Sequence, residues 1–254
     1  MNEKKIIIIM KVGDVMSKIV VTVSGEDSGK EIINVLSTIP SGRVIVMDRE
    51  EAVGIISSRD VVNAYSKFED DIFEAKAEDI ATHGIITVDE DEEVSDAVRI
   101  MASKKIGSLV VTSSKTLRGI FTERDLIRLL SKMMFSGIVE SIMTSNVVTI
   151  PPDVDLLFAS KLMEYEGIRR LPVVRGREVE GIVTAADIVK ALAKGLHTVN
   201  EIETKNPFVI SGTDTIMKAV KIMNEKRIGS LLVDGIKGIV TERDILYASL
   251  NEIR

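Results

Sequence analysis

Four stretches of the chain place apolar or small residues at positions i, i+3, i+4 and i+7. They are Gly29, Ile32, Ile33, Leu36, then Val94, Ala97, Val98, Met101, then Leu156, Ala159, Ser160, Met163, and last Ile216, Ala219, Val220, Met223. That spacing predicts an apolar stripe along each of four amphipathic helices. After each helix comes a β-rich run (44–47, 108–111, 171–174 and 230–233), a short turn and a second strand that opens on glycine, the order of a hairpin. Short apolar runs such as 20–23 and 147–150 precede the helices as first strands, and a second periodic stretch follows each hairpin, for example Ile188, Val189, Ala191 and Leu192. Five consecutive apolar residues at 6–10, between lysines, read as a buried strand at the start of the fold.

The order strand, helix, strand, strand, helix therefore occurs four times, and one motif marks each copy. Gly54-Ile55-Ile56-Ser57-Ser58-Arg59-Asp60, Gly119-Ile120-Phe121-Thr122-Glu123-Arg124-Asp125, Gly181-Ile182-Val183-Thr184-Ala185-Ala186-Asp187 and Gly238-Ile239-Val240-Thr241-Glu242-Arg243-Asp244 share Gly, two apolar residues, Ser or Thr, two variable positions and Asp. The four Asp residues lie 65, 62 and 57 positions apart. Repeats are expected over 8–68, 73–133, 137–195 and 197–254, in an α+β fold of four βαββα units. A unit of about 60 residues buries too little surface to be stable alone, so the copies should pair. Periodicity is weakest over 131–137, which suggests a joint near mid-chain.

Composition narrows the chemistry. There is no cysteine, which removes disulfides, thiolate metal sites and cysteine nucleophiles and fits a reducing, cytoplasmic setting. The net charge of −6 works against non-specific binding to nucleic acid or an anionic membrane. No apolar run approaches the roughly 20 residues of a membrane span, and the chain reads as neither exported nor membrane-spanning. The acidic excess is confined to residues 1–131, which leaves the charge-balanced second half the better place for a polyphosphate.

Ser or Thr followed three residues later by an acid is the capping box of a helix start. Capping boxes favour the longer Glu or Gln, yet all four copies here carry Asp. A carboxylate in the first helical turn can accept two hydrogen bonds from a vicinal diol, and the neighbouring hydroxyl and free backbone N–H groups suit phosphate. Ribose followed by phosphate is the ligand this arrangement favours.

Four copies of the motif, each closing a βαββα unit, resemble CBS domains, named after cystathionine β-synthase. The openings Asp14-Val15-Met16-Ser17 and Ser141-Ile142-Met143-Thr144 match the family pattern as well. The resemblance covers essentially the whole chain. It implies tandem pairing into two Bateman modules, which can form a flat disc, as in the four-repeat γ subunit of AMP-activated protein kinase. It also implies clefts that bind AMP, ADP, ATP or an adenosyl compound such as S-adenosylmethionine, with no metal required. Asp60, Asp125, Asp187 and Asp244 would hold the ribose, with Ser57, Thr122, Thr184 and Thr241 beside them. Thr22, Thr87 and Thr149 on the first strands would lie near the base, where the fourth repeat has Val209. The cations for phosphate would be Arg59, Arg124 and Arg243 before the motif Asp, and Lys105, Arg169, Arg170 and Arg227 ahead of the second strand. The third repeat has Ala186 in place of that first arginine and would borrow Arg169 or Arg170.

The expected activity is regulatory rather than enzymatic: a sensor of adenine nucleotides that signals to a partner protein, with homodimer formation open. A scaffold whose motif residues only cap helices is the alternative, and a nucleic-acid-linked regulator is disfavoured by charge. The acidic run 89–93 matches no calcium loop, and His83 and His197 have no metal-ligand partner at useful spacing.

Overall fold

The computed structural model describes residues 10–134 and 136–250. The strand expected over 6–10 lies outside the described residues except for Met10, and so does Phe135 of the expected joint. The first repeat runs α1 (Val12–Val15), β1 (Thr22–Ser24), α2 (Gly29–Thr38), β2 (Arg43–Asp48), β3 (Glu51–Ser57) and α3 (Ser58–Phe68). The second follows a 3₁₀ turn (Glu69–Phe73) with α4 (Ala77–Ile80), β4 (Thr82–His83), β5 (Thr87–Asp89), α5 (Val94–Lys104), β6 (Ser108–Ser113), β7 (Thr116–Thr122) and α6 (Glu123–Leu130). The third has α7 (Leu156–Glu166), β8 (Arg170–Arg175), β9 (Glu178–Thr184) and α8 (Ala185–Lys194). The fourth has β10 (Thr204–Lys205), β11 (Val209–Ile210), α9 (Ile216–Lys226), β12 (Ser230–Val233), β13 (Gly238–Thr241) and α10 (Glu242–Ser249).

Each predicted stripe is buried. Ile32 and Ile33 are fully buried, as are Val94, Ala97, Val98, Met101, Ala219 and Val220. Each large side chain taken from water in this way contributes about 1.5–3 kcal/mol. The hairpins form as expected, and those of the first three repeats carry a bulge one step from the motif glycine, at Val46/Met47, Val111/Thr112 and Val173/Val174. First strands pair parallel to the hairpin in register Thr22↔Ile45, Thr87↔Val110 and Val209↔Leu232. In the third repeat that strand shrinks to a single bridge, Ile150↔Val173.

The opening segments cross over between tandem repeats. β4, which opens the second repeat, pairs antiparallel with β3 of the first (Gly54↔His83, Ile55↔Thr82), and Ser17 of the first repeat bridges Ile120 of the second. The third and fourth repeats exchange in the same way through Thr204↔Ile182 and Thr144↔Ile239. This exchange explains the leading glycine of the motif. A Cβ on Gly119 would stand 2.6 Å from the carbonyl oxygen of Ser17 and 2.7 Å from the sulfur of Met16, so the opening segment packs against bare backbone.

The chain divides into two compact units, and the division does not fall at mid-chain. One contains residues 1–20, 86–147 and 208–254, the other 21–85 and 148–207. The first therefore joins the bodies of the second and fourth repeats, with Met101, Phe121, Leu126, Ile216, Val220 and Val240 in one core. The second joins the first and third repeats around Ile32, Ile56, Val62, Met163, Val183 and Ile188. Tandem repeats thus exchange openings while alternate repeats share a core.

Candidate functional site

All four Ser/Thr-x-x-Asp motifs form a capping box at the start of a helix. Asp Oδ2 accepts the backbone N–H of Ser57, Thr122, Thr184 and Thr241 at 2.7, 2.9, 3.0 and 2.8 Å. The same oxygen accepts the hydroxyl of that residue at 2.6, 2.7, 2.6 and 2.7 Å. One carboxylate oxygen is thereby fixed in every repeat, and the chemistry left to the site resides in Oδ1.

The repeats differ at Oδ1. Asp60 accepts the Thr82 hydroxyl there at 2.7 Å. Asp125, 2% exposed, accepts Arg128 Nη2 at 3.0 Å and Ser17 Oγ at 3.3 Å. No described residue donates to Oδ1 of Asp187. Ser17 and Thr82 belong to the exchanged openings, so Oδ1 of Asp60 and of Asp125 is capped by a hydroxyl from the tandem neighbour. Sequence reasoning did not single out these two hydroxyls, although both stand at the same place in the recurring opening, the position also held by Thr144 and Thr204.

The expected phosphate cations are placed in four ways. Arg124 and Arg243 pair reciprocally with glutamates of the facing repeat: Arg124 Nε lies 3.3 Å from Glu242 Oε1, and Arg243 Nε lies 2.9 Å from Glu123 Oε1. Glu123 and Glu242 are buried, so both arginines already neutralise a carboxylate that burial would penalise. Arg59 donates to the carbonyl oxygen of Gly167. Lys105 and Arg227 are exposed and cap the C-termini of α5 and α9 in the left-handed conformation, at φ 56° in both cases, where a cation also complements the helix dipole. Arg169 and Arg170 flank the start of β8 and are half-buried.

Thr22, Thr87 and Thr149 are exposed at the outer edge of their hairpins, as is Val209. One residue before Thr204, Glu203 takes the place that Met16, Ala81 and Met143 take in the other openings, each packed on its motif glycine. Its carboxylate presses on Gly181; Oε1 meets Lys205 Nζ at 2.5 Å, and Oε2 is buried without a partner among the described residues. The hydrogen bond to Glu203 raises the Lys205 pKa above its ordinary value. Among the described residues no cluster of His, Asp and Glu could hold a metal, and no helix is long and apolar enough to cross a membrane.

The CBS domain family matches residues 12–67, 77–132, 139–194 and 199–251. An uncharacterised protein of Methanocaldococcus jannaschii, MJ1225, is 29% identical over 237 residues, covering 80% of this chain and 85% of its own. A 33.4 kDa protein from the ribosomal RNA operon of Thermofilum pendens is also 29% identical, covering 86% of this chain and 85% of its own. The crystal structure of MJ1225, described as a candidate archaeal homologue of the AMP-activated protein kinase γ subunit, superposes with a TM-score of 0.83 at 24% identity, over 94% of this chain and 99% of that one. Four family matches, four βαββα units and four Asp-capped helix starts agree: the chain belongs to the CBS-domain family and carries four CBS repeats.

Proposed function

We propose that this chain is a regulatory binding protein whose Asp-capped helix starts hold the ribose of adenosyl ligands (AMP, ADP, ATP or S-adenosylmethionine) and whose occupancy is read by a partner protein. The observation that carries this reading is Asp187. Its Oδ2 is pinned by Thr184 while Oδ1 accepts nothing from any described residue, so the carboxylate is oriented in advance and has an acceptor to offer. At Asp60 and Asp125 a ribose hydroxyl would have to displace Thr82, or Ser17 and Arg128, so the third repeat fills before the first and second. Thr184 and Arg169 or Arg170 would accompany Asp187, and Ser57, Thr122, Thr241 and Asp244 would act in the other repeats. The kinship with MJ1225 supports a regulatory rather than an enzymatic role. Ligand bias between two arrangements of the chain would be the means by which a partner responds.

The four complete capping boxes favour a second reading, in which the motif is purely structural. Calorimetry with AMP, ADP, ATP, S-adenosylmethionine and methylthioadenosine separates the two. Binding of at least one ligand, weakened by Asp187→Asn, supports the sensor. Binding of none supports the scaffold.

A further inference from the structure

The internal repeat acts as its own control for what a CBS helix needs on its outer face. The third residue of the first helix is Glu31, Asp96 and Lys218 in repeats one, two and four, and the tenth is Thr38, Ser103 and Glu225. In the third repeat the same positions are Phe158 and Tyr165, and they are 52% and 86% exposed. The helical fold thus demands no aromatic residue at either place. Two of the nine aromatic residues in the chain are spent on one exposed face of α7, seven positions and about two turns apart.

Both residues flank Lys161, which lies between them on that face and bonds Glu69 Oε1 at 2.9 Å. Glu69 follows Phe68, itself 39% exposed at the end of α3, and Lys67 on the other side of Phe68 pairs with Glu164 of α7 at 3.1 Å. The end of α3 and the middle of α7 are therefore stitched together by two ion pairs, with Phe68 at their seam. Around this apolar surface stand Glu69, Asp70, Asp71, Glu164 and Glu166, against Lys67, Lys161 and, on the Gly167 carbonyl just beyond α7, Arg59. Asp70, Asp155 and Glu69 lie close enough to the Tyr65 hydroxyl that, after burial, their charges raise its pKa. The surface is aromatic at its centre and negative at its rim.

We propose that the Phe158–Tyr165 face of α7, with Phe68, is the docking surface for a lysine- or arginine-rich amphipathic segment of a partner protein. Aromatic anchors supply contact area, and the acidic rim selects a basic occupant and repels an anionic membrane. The inference is independent of whether any repeat binds an adenosyl ligand.

The test titrates the full chain with a synthetic helical peptide of about four turns that has leucine and phenylalanine on one face and lysine on the other. A peptide with glutamate in place of lysine and vesicles of anionic phospholipid serve as controls. The double variant Phe158→Lys, Tyr165→Glu carries the residues the fourth repeat uses at the same positions, so it should fold as the parent does, checked by its thermal midpoint. The expected result is binding of the lysine peptide with amide-exchange protection confined to α7 and the end of α3, at least about ten-fold weaker in the double variant and with the glutamate peptide. Equal binding by the variant, protection elsewhere, preference for the vesicles, or no binding of the lysine peptide overturns the proposal.

Discussion

The helix starts of the two compact units use the same cap for different ends. In the unit that joins the second and fourth repeats, both read Thr-Glu-Arg-Asp, and their two Glu–Arg pairs cross reciprocally between α6 and α10. In the unit that joins the first and third, they read Ser-Ser-Arg-Asp and Thr-Ala-Ala-Asp, and the pairing moves outward to Arg59 on Gly167 and to Ser66 and Lys67 on Glu164. Both crossed pairs form only when both partners carry the tetrapeptide, so the charges favour matching the second repeat to the fourth. The unit without them leaves Asp187 with an open acceptor, while the unit with them seals Asp125 under Arg128 and Ser17. The crossed ion pairs and the open carboxylate oxygen of Asp187 lie in different units.

Three comparisons bear on this contrast. The largest effect is expected from Glu123→Ala, which strips the half-buried Arg243 of its carboxylate and should destabilise the chain by about 3 kcal/mol in denaturant melts. Arg59→Ala, made in the other unit at a residue bonded to the backbone, should cost clearly less, and equal losses would erase the distinction. Next is the motif glycine. Gly119→Ala brings a methyl against the Ser17 carbonyl and Met16 and should cost about 2 kcal/mol. Gly54→Ala faces its nearest neighbour, the Ala81 methyl, at 3.2 Å and should cost less, because that contact needs only a small shift.

The smallest effect is a pH effect in the unit of the first and third repeats. The Ser66 hydroxyl, and then Lys67, hold the Glu164 carboxyl below its ordinary value of 4.5. A carboxylate with a lowered folded-state pKa adds stability that is present above the unfolded value and is lost as pH falls through the folded one. Acid should therefore weaken the α3–α7 contact, and Ser66→Ala should move the Glu164 titration, followed by NMR, back toward 4.5. An unmoved titration would remove the hydroxyl as the cause.

Helix stripes, hairpins and the four capping boxes were legible in the sequence because each depends on residues within about a dozen positions of one another. The exchange of openings was not, since Ser17 meets Asp125 from 108 positions away beside a single isolated bridge that has no periodicity to announce it. Nor was the sharing of one core by alternate repeats: a stripe such as Val94 to Met101 says that it will be buried but not against which copy. The crossed Glu–Arg pairs did leave a trace, because Glu precedes Arg in two repeats and in neither of the others. The sequence reading offered Arg124 and Arg243 to phosphate, whereas in the structure burial of Glu123 and Glu242 demands their charge first. Glu203 stands out only by alignment of the four openings, where it replaces methionine or alanine.

The most direct test of the account is calorimetric titration of AMP, ATP and S-adenosylmethionine into the parent chain, Asp187→Asn and Asp125→Asn, each checked for its thermal midpoint. The account predicts that the tightest site is lost in Asp187→Asn, with affinity down by about 1.5–3 kcal/mol as charge-assisted hydrogen bonds disappear, and is retained in Asp125→Asn. Undiminished binding in Asp187→Asn, or loss of the tightest site only in Asp125→Asn, would contradict it.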